Sequence, residues 1–428
     1  MDTIFASATA TGRAGVAVIR LSGPQAFSVA EALSGALPAE RTAALRRIMG
    51  PNEDYVDEGL ILCFAGPKSY TGEDIVEFQV HGSVAVVQKL MNVLSGFEDL
   101  RIAEPGEFTR RALENGRLDL TQVEALADLI DAETEVQRVQ SQRVLSGEFS
   151  GKIEGWRANL IRAAALLEAS IDFADEEVPT DVSPEVRALI RGVVDDFDKE
   201  IAGSGVAERL REGFVVAIVG PPNVGKSTLL NALVGRDAAI TSEIAGTTRD
   251  VIEVRMDLDG IPVTLIDTAG IRESEDVIEK LGIERALQRA EEADVRILLA
   301  GSMQDAEIEF RDGDLVRKPK ADLSLADDGG VSGLTGLGIE SLLSELKSTL
   351  ADRVAGVSFA SRERHRSALH LGRQELLDAY QKVDEGPEAY DLAAEHLRSA
   401  VRVLEILLGR IDVDNLLDEV FSSFCLGK

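Results

Sequence analysis

The chain is poor in several things, and each shortage narrows the reading. Two cysteines in 428 residues, Cys63 and Cys425, exclude a disulfide framework and fit a reducing compartment. No apolar run approaches the length of a membrane span, and no basic-then-apolar signal pattern opens the chain. The expectation is a soluble, cytoplasmic protein without a membrane partner. Positive charge is scarce: 45 Lys and Arg stand against 75 Asp and Glu, for a formal net charge of −30. Such a surface repels phosphate backbones, which excludes broad electrostatic binding of nucleic acid without a local basic patch or a partner. Internal repeats and low-complexity segments are also missing. The 45% hydrophobic fraction is that of a globular protein, and the length exceeds what one compact core usually holds.

The most informative stretch is Val219-Gly220-Pro221-Pro222-Asn223-Val224-Gly225-Lys226-Ser227-Thr228. It follows an apolar run from Phe214 to Ile218 that reads as a buried parallel strand, and it precedes a helical start at Leu229. Strand, glycine loop and helix satisfy the G-x-x-x-x-G-K-[ST] signature in its required setting. Gly220 and Gly225 let successive amides point at phosphate oxygens, and the helix N-terminus adds partial positive charge. Lys226 then reaches the β- and γ-phosphates, while the Ser227 hydroxyl is suited to Mg²⁺.

The N-terminal stretch reads as α+β. Val16–Leu21 is a strand ended by Ser22-Gly23-Pro24, and Ile75–Gly82 alternates, with Val76, Phe78 and Val80 facing a core. Arg20 and Glu77 then fall on the other face, which by pattern is a solvated sheet face. A short helix opens at Pro105–Thr109. From Asp119 the period becomes helical, with stripes Leu120, Val123, Ala127, Ile130 and then Trp156, Leu160, Ala164, Leu167, Ile171. An acidic run ending in Pro179 reads as a solvated loop, and a further helix starts near Ser183. Strand and helix alternate in the middle of the chain, which predicts a parallel sheet covered on both faces. Helical periodicity returns after Ser361, with Leu392, Leu397, Val401, Leu404 and Leu408 on one stripe. The fold class is therefore multidomain: an α+β N-terminal domain (1–117), a helical domain in two parts (118–210 and 353–428), and an inserted α/β P-loop domain (211–352).

Three further segments narrow the nucleotide. Gly246-Thr247-Thr248-Arg249-Asp250 offers Thr248 as a second hydroxyl for Mg²⁺. Asp267-Thr268-Ala269-Gly270 follows a buried strand, with a carboxylate for the metal through water and a Gly270 amide for the γ-phosphate. Lys320-Ala321-Asp322 follows a weak strand, and an aspartate there accepts from guanine N1 and N2, a pairing adenine lacks. The ordered set is that of a GTPase.

The flanking text is similar to one family throughout, that of the tRNA modification GTPases MnmE (TrmE). The marks are Ser69–Asp74, Pro105–Phe108, Leu118-Asp119-Leu120, Ala127–Ala132, the loop with Asn223, and the terminus Phe424-Cys425-Leu426-Gly427-Lys428. The resemblance implies a folate-binding, dimerising N-terminal domain, with folate contacts at Arg20, Glu77, Arg117 and Lys428. It implies a 5-formyl- or 5,10-methylene-tetrahydrofolate cofactor and a flavoprotein partner of the MnmG type. The implied product is a C5 aminomethyl or carboxymethylaminomethyl group on the wobble uridine of certain tRNAs. It further implies K⁺ ligands at Asn223, Ser242, Ile244 and Thr247, with G domains that pair to switch hydrolysis on. Val224, Thr228, Glu243, Ala245 and Ser332 join the nucleotide contacts. Among the carboxylates from Glu273 to Glu279 chemistry does not choose, and the resemblance points to Glu279 as the residue that orients water. Cys425 reads either as a thiolate or as a small buried residue, and nothing nearby depresses its pKa. One departure stands out: the base-reading motif, usually Asn-Lys-x-Asp, is Pro319-Lys320-Ala321-Asp322, and Ser332-Gly333-Leu334 is a thinner form of the usual Ser-Ala-x loop. A regulatory GTPase acting in ribosome assembly, and a folate transferase with a vestigial nucleotide domain, are the rival readings.

Overall fold

The computed structural model describes all residues except 1, 52, 173–180, 222, 236–251, 268–287, 289, 301–310, 312, 324–328, 355–356, 412–416, 418–419, 422–423, 425–426 and 428. Two compact units result, one of Met1–Ala127 with Glu405–Lys428 and the other of Asp128–Leu404.

The first unit is built on β1 (Thr3–Ser7), β2 (Val16–Ser22), β3 (Ala44–Met49), β4 (Tyr55–Phe64), β5 (Ile75–His81) and β6 (Leu100–Ile102). They form one sheet in the order β3-β4-β5-β2-β1-β6, antiparallel except for the β1–β6 pair. The alternation of β5 does what its sequence predicts: Val76, Phe78 and Val80 are buried beneath helices α1 (Ala26–Ser34) and α2 (Val84–Leu94). The other face is covered only in part: Ile4 and Ala6 are buried with Phe108, whereas Val16 and Leu45 lie more than half exposed, with Leu60 beside Leu45 in register. Helix α3 (Glu107–Glu114) follows the sheet. Phe421 and Phe424 of the C-terminal segment pack with Leu120 and Val123 in a small core of the same unit.

The second unit joins long helices to the P-loop sheet. Helix α4 (Leu120–Asp131) begins in the first unit; α5 (Glu135–Leu145), α6 (Glu148–Asp172) and α7 (Ser183–Glu212) precede the sheet of the second, and α10 (Glu363–Glu385) and α11 (Tyr390–Leu407) follow it. The Trp156 ring meets Phe197 edge-on at 4.9 Å, and Phe149 stacks on Phe359 at 5.7 Å. The predicted stripes hold in their middles and fail at their ends: Ile130, Ile171 and Leu392 are exposed. For Leu392 the geometry is simple. It lies five residues before Leu397, about 140° around a helix of 3.6 residues per turn, and Ala393 takes the buried place instead.

The sheet comprises β7 (Phe214–Val219), β8 (Ile252–Leu258), β9 (Ile261–Asp267), β10 (Val295–Leu299) and β11 (Leu315–Arg317), in the order β11-β10-β7-β9-β8. Four strands are parallel, and β8 runs antiparallel to β9. A wholly parallel sheet was the expectation. The reversal comes from Asp259-Gly260, whose left-handed φ angles of 53° and 92° close a two-residue hairpin, the turn that Asp-Gly favours. Helix α8 (Lys226–Val234) follows β7, and α9 (Ile339–Val354) follows β11. Among the described residues no helix is long and apolar enough to cross a membrane.

Candidate active site

Every side chain of β7 except Val215 is buried, so the strand is anchored and the turn after it is held in place. Asn223 and Gly225 both take left-handed backbone, at φ 60° and 111°. Asparagine and glycine are the residues that tolerate it. Helix α8 then starts at Lys226 with its first amides facing the loop. The Lys226 ammonium is nearly enclosed and donates to the carbonyls of Gly220 at 2.7 Å and Pro221 at 3.1 Å. Burial pushes its pKa down, with the Asp267 charge offsetting part of the shift. An anion placed in the loop would reverse that penalty, which is what a phosphate does. Ser227 Oγ donates to Asp267 Oδ2 at 2.6 Å. The parallel register sets Ile218 of β7 opposite Asp267 of β9, which brings the two oxygens together. Hydroxyl and carboxylate are hard oxygen donors, the kind Mg²⁺ prefers.

Beside the loop lies a cavity of about 380 Å³. Val224, Gly225, Thr228 and Leu229 form one wall, Leu299 a second, and Pro319, Lys320, Asp322, Leu323 and Val331–Leu334 the rest. Pro319 forms a parallel bridge with Val331. The Val331 amide donates to Lys318 O at 2.8 Å and the Ala321 amide to Val331 O at 3.2 Å. Asp322 is exposed and Ser332 is buried, its Oγ accepting from the Thr335 amide at 3.2 Å. An apolar slot with one carboxylate suits a flat base that carries donors on one edge. Leu299 and Leu323 line it without having been singled out in the sequence. For Leu323 the available signal was its place directly after Asp322.

In the other unit, Arg20 Nε donates to Glu77 Oε1 at 2.9 Å. Its guanidinium lies 5.4 Å from the Tyr70 ring and 5.7 Å from the Phe108 ring, and 3.5 Å separates Nη1 from the Gly427 carbonyl. A solvated sheet face was the pattern reading. The pair is instead about four-fifths enclosed, because the Tyr70 turn and α3 fold over this end of β2 and β5. Tyr70 donates to or accepts from Thr109 Oγ1 at 2.7 Å, and burial pushes its phenol pKa up. Arg117 Nε donates to Ser69 O at 3.2 Å. Tyr70 and Phe108 are the residues that pattern reading left without a role.

The sequence comparisons bear on the whole chain. A family model described as "GTP-binding protein TrmE N-terminus" matches residues 3–117, and one described as "MnmE helical domain" matches 120–425. The chain is 58% identical to the tRNA modification GTPase MnmE of Roseobacter denitrificans and 57% identical to that of Ruegeria sp.. It is 46% identical to that of Paracoccus denitrificans, and each match covers 100% of both proteins. The chain belongs to the MnmE family. As an MnmE-family member it is a tRNA modification GTPase, with GTP as substrate and tRNA as a partner. The expected nucleotide contacts of this MnmE chain divide in two. Asn223–Thr228, Asp267, Lys320, Asp322 and Ser332 gather around the loop and cavity. Ser242, Glu243, Ile244, Ala245, Gly246, Thr247, Thr248, Thr268, Ala269, Gly270 and Glu279 lie outside the described residues, as do Cys425 and Lys428.

Proposed function

We propose that this chain hydrolyses GTP in the Asn223–Ser227 cradle to drive the C5 (carboxymethyl)aminomethyl modification of the tRNA wobble uridine. The observation that carries the reading is the enclosed Lys226 ammonium at the head of α8, beside the Ser227–Asp267 pair and a base cavity with Asp322 on its rim. Lys226 balances charge on the β- and γ-phosphate oxygens, and the α8 amides hold the phosphates in line. Asp322 selects guanine. Glu279 orients the attacking water. Bound at Ser227 and Thr248, Mg²⁺ would supply charge neutralisation between the phosphates. Asn223, Ser242, Ile244 and Thr247 would hold K⁺ where other GTPases place an arginine finger.

The same reading assigns folate to Arg20, Glu77, Arg117 and Lys428. A guanidinium beside two aromatic rings and fixed by a carboxylate suits a planar, carboxylate-bearing ligand. Folate would supply the one-carbon unit, and the flavoprotein partner the redox chemistry. A homodimer is supported by the exposed apolar residues Val16, Leu45 and Leu60 on that sheet face. The reducing, cytoplasmic setting follows from the cysteine content.

The test is GTP turnover in K⁺ against Na⁺. K⁺ should accelerate it strongly, and Asn223→Gly, which keeps the left-handed backbone and removes the side-chain oxygen, should erase the difference. Equal rates in the two salts defeat the K⁺ assignment. Retained C5 modification of wobble uridines in cells lacking the chain, with no redundant enzyme, defeats the pathway.

A further inference from the structure

The N-terminal unit carries a group of cations that its carboxylates do not answer. Arg41, shortly before β3, is held by the exit of β4 at both its main chain and its side chain. Its backbone is left-handed, at φ 59°, and its amide donates to Cys63 O at 2.9 Å. Its guanidinium lies 5.6 Å from the Phe64 ring and donates through Nη2 to the Lys68 carbonyl. Arg117 Nε donates to the next carbonyl, that of Ser69, at 3.2 Å. Two guanidiniums thus reach successive carbonyls of the turn that holds Lys68, and all three cationic residues are exposed.

The acidic neighbours are engaged elsewhere. Asp74 Oδ1 accepts from the Gly66 amide at 2.9 Å, and Glu73 Oε2 accepts from Ser22 Oγ at 2.7 Å and from Arg111 Nη1 at 3.1 Å. Glu40 directly precedes Arg41, yet among the described residues no carboxylate pairs with Arg41, Lys68 or Arg117. A guanidinium bonded to a carbonyl keeps its charge and most of its N–H donors. Like charges gathered in this way repel one another, and an anion placed among them relieves the repulsion.

We propose that Arg41 and Lys68, with Arg117 beside them, form the patch by which this chain holds the phosphate backbone of tRNA. A chain of net charge −30 repels RNA except where such cations gather. Tyr70, next in the turn after Ser69, lies against Arg20, so RNA held here runs beside the enclosed Arg20–Glu77 pair. Phosphate contacts carry no sequence information; what they fix is where the RNA lies.

The experiment is fluorescence-anisotropy titration of the full chain with an unmodified tRNA transcript bearing a wobble uridine, from about 50 to 200 mM KCl. Arg41→Gln and Lys68→Gln should each weaken binding at least about threefold and flatten the plot of log affinity against log salt by about 0.7–0.9. A transcript with another wobble base should lose the same factor. Lys89→Gln removes an equal charge from the same unit, but from a cation already paired with Asp54, and should leave binding near the wild-type value. Equal losses in all three variants, a loss with an unchanged salt slope, or no tRNA binding by the unaltered chain at about 50 mM KCl overturn the proposal. Lys68→Gln decides if Arg41→Gln does not fold, because among the described residues the Lys68 ammonium has no bond to lose. Calorimetry with 5-formyltetrahydrofolate separates RNA phosphate from the folate carboxylates, and Arg117 is kept throughout because it belongs to the folate set. Folate affinity should stay at the wild-type value in both variants. Weakened folate binding with tRNA binding intact overturns the proposal and gives the patch to folate.

Discussion

Ser227 and Asp267 share a hydrogen bond of 2.6 Å between the head of α8 and the end of β9. Two segments forty residues apart in sequence meet there, one supplying the phosphate loop and the other the carboxylate that follows the buried strand. Ser227→Ala removes the hydroxyl and leaves the buried Asp267 carboxylate without it. GTP turnover should fall by about 10²- to 10³-fold, the usual cost of one oriented transition-state group. The Mg²⁺ dependence of turnover should flatten as well, which a metal titration would read. Wild-type Mg²⁺ dependence in the variant would contradict the assignment of Ser227 to the metal.

Arg20 and Glu77 give a second test, independent of the nucleotide. Arg20→Ala should weaken binding of 5-formyltetrahydrofolate at least tenfold, on the scale of one lost charge-assisted pair of about 1.5–3 kcal/mol. Calorimetry on the purified chain measures it. Unchanged affinity would remove Arg20 from the folate reading, while GTP turnover should be unaffected either way.

Arg296 on β10 and Asp314 just before β11 form a two-pronged ion pair, 3% and 6% exposed, with Nε donating to Oδ1 at 2.9 Å. Burial pushes the Asp314 pKa up, but the bonds from Arg296 and the Arg311 amide prevail and hold it below the ordinary carboxylate value. Removing one partner leaves a buried charge, so Arg296→Met should destabilise the nucleotide unit by about 3–5 kcal/mol. Urea unfolding of Arg296→Met with Asp314→Leu should recover most of the loss. A single variant as stable as wild type would show that water already reaches the pair.

Glu107 accepts from Arg101, Arg111 and the Glu104 amide. Burial raises its pKa, yet these donors outweigh burial and bring the folded value below the ordinary 4.5. A carboxylate with a depressed folded pKa stabilises fully above its unfolded value, and that contribution disappears as pH falls through the folded one. The melting temperature of the chain should thus decline below about pH 4.5, and Glu107→Gln should show a shallower decline. Identical acid limbs would exclude Glu107 as a contributor.

Much of the fold was legible because its signals are local. β5 alternates strictly and buries the residues its pattern names, and the loop at Asn223–Ser227 carries its geometry in Asn223 and Gly225. What escaped depends on distant partners. Arg20 and Glu77 read as a wet sheet face because nothing in β2 or β5 announces that Tyr70 and Phe108 will enclose them. Leu392 was misplaced because a helix's first turn can join either of two neighbouring stripes. Antiparallel β8 is different, since Asp259-Gly260 was a readable hairpin signal outweighed by the alternation of strand and helix around it.

The Asp259-Gly260 turn has one more consequence. Val136 at the start of α5 donates its amide to Gly260 O at 3.3 Å, and Lys347 of α9 forms an ion pair with Asp259. The other end of β9, seven residues on, is Asp267. At about 3.3 Å per residue the strand is a rod of roughly 20 Å, clamped at its tip by two helices and touching the phosphate loop at its base. The position of Asp267 beneath the phosphate loop is thus fixed from both ends of one strand, by Ser227 at the base and by two helices at the hairpin.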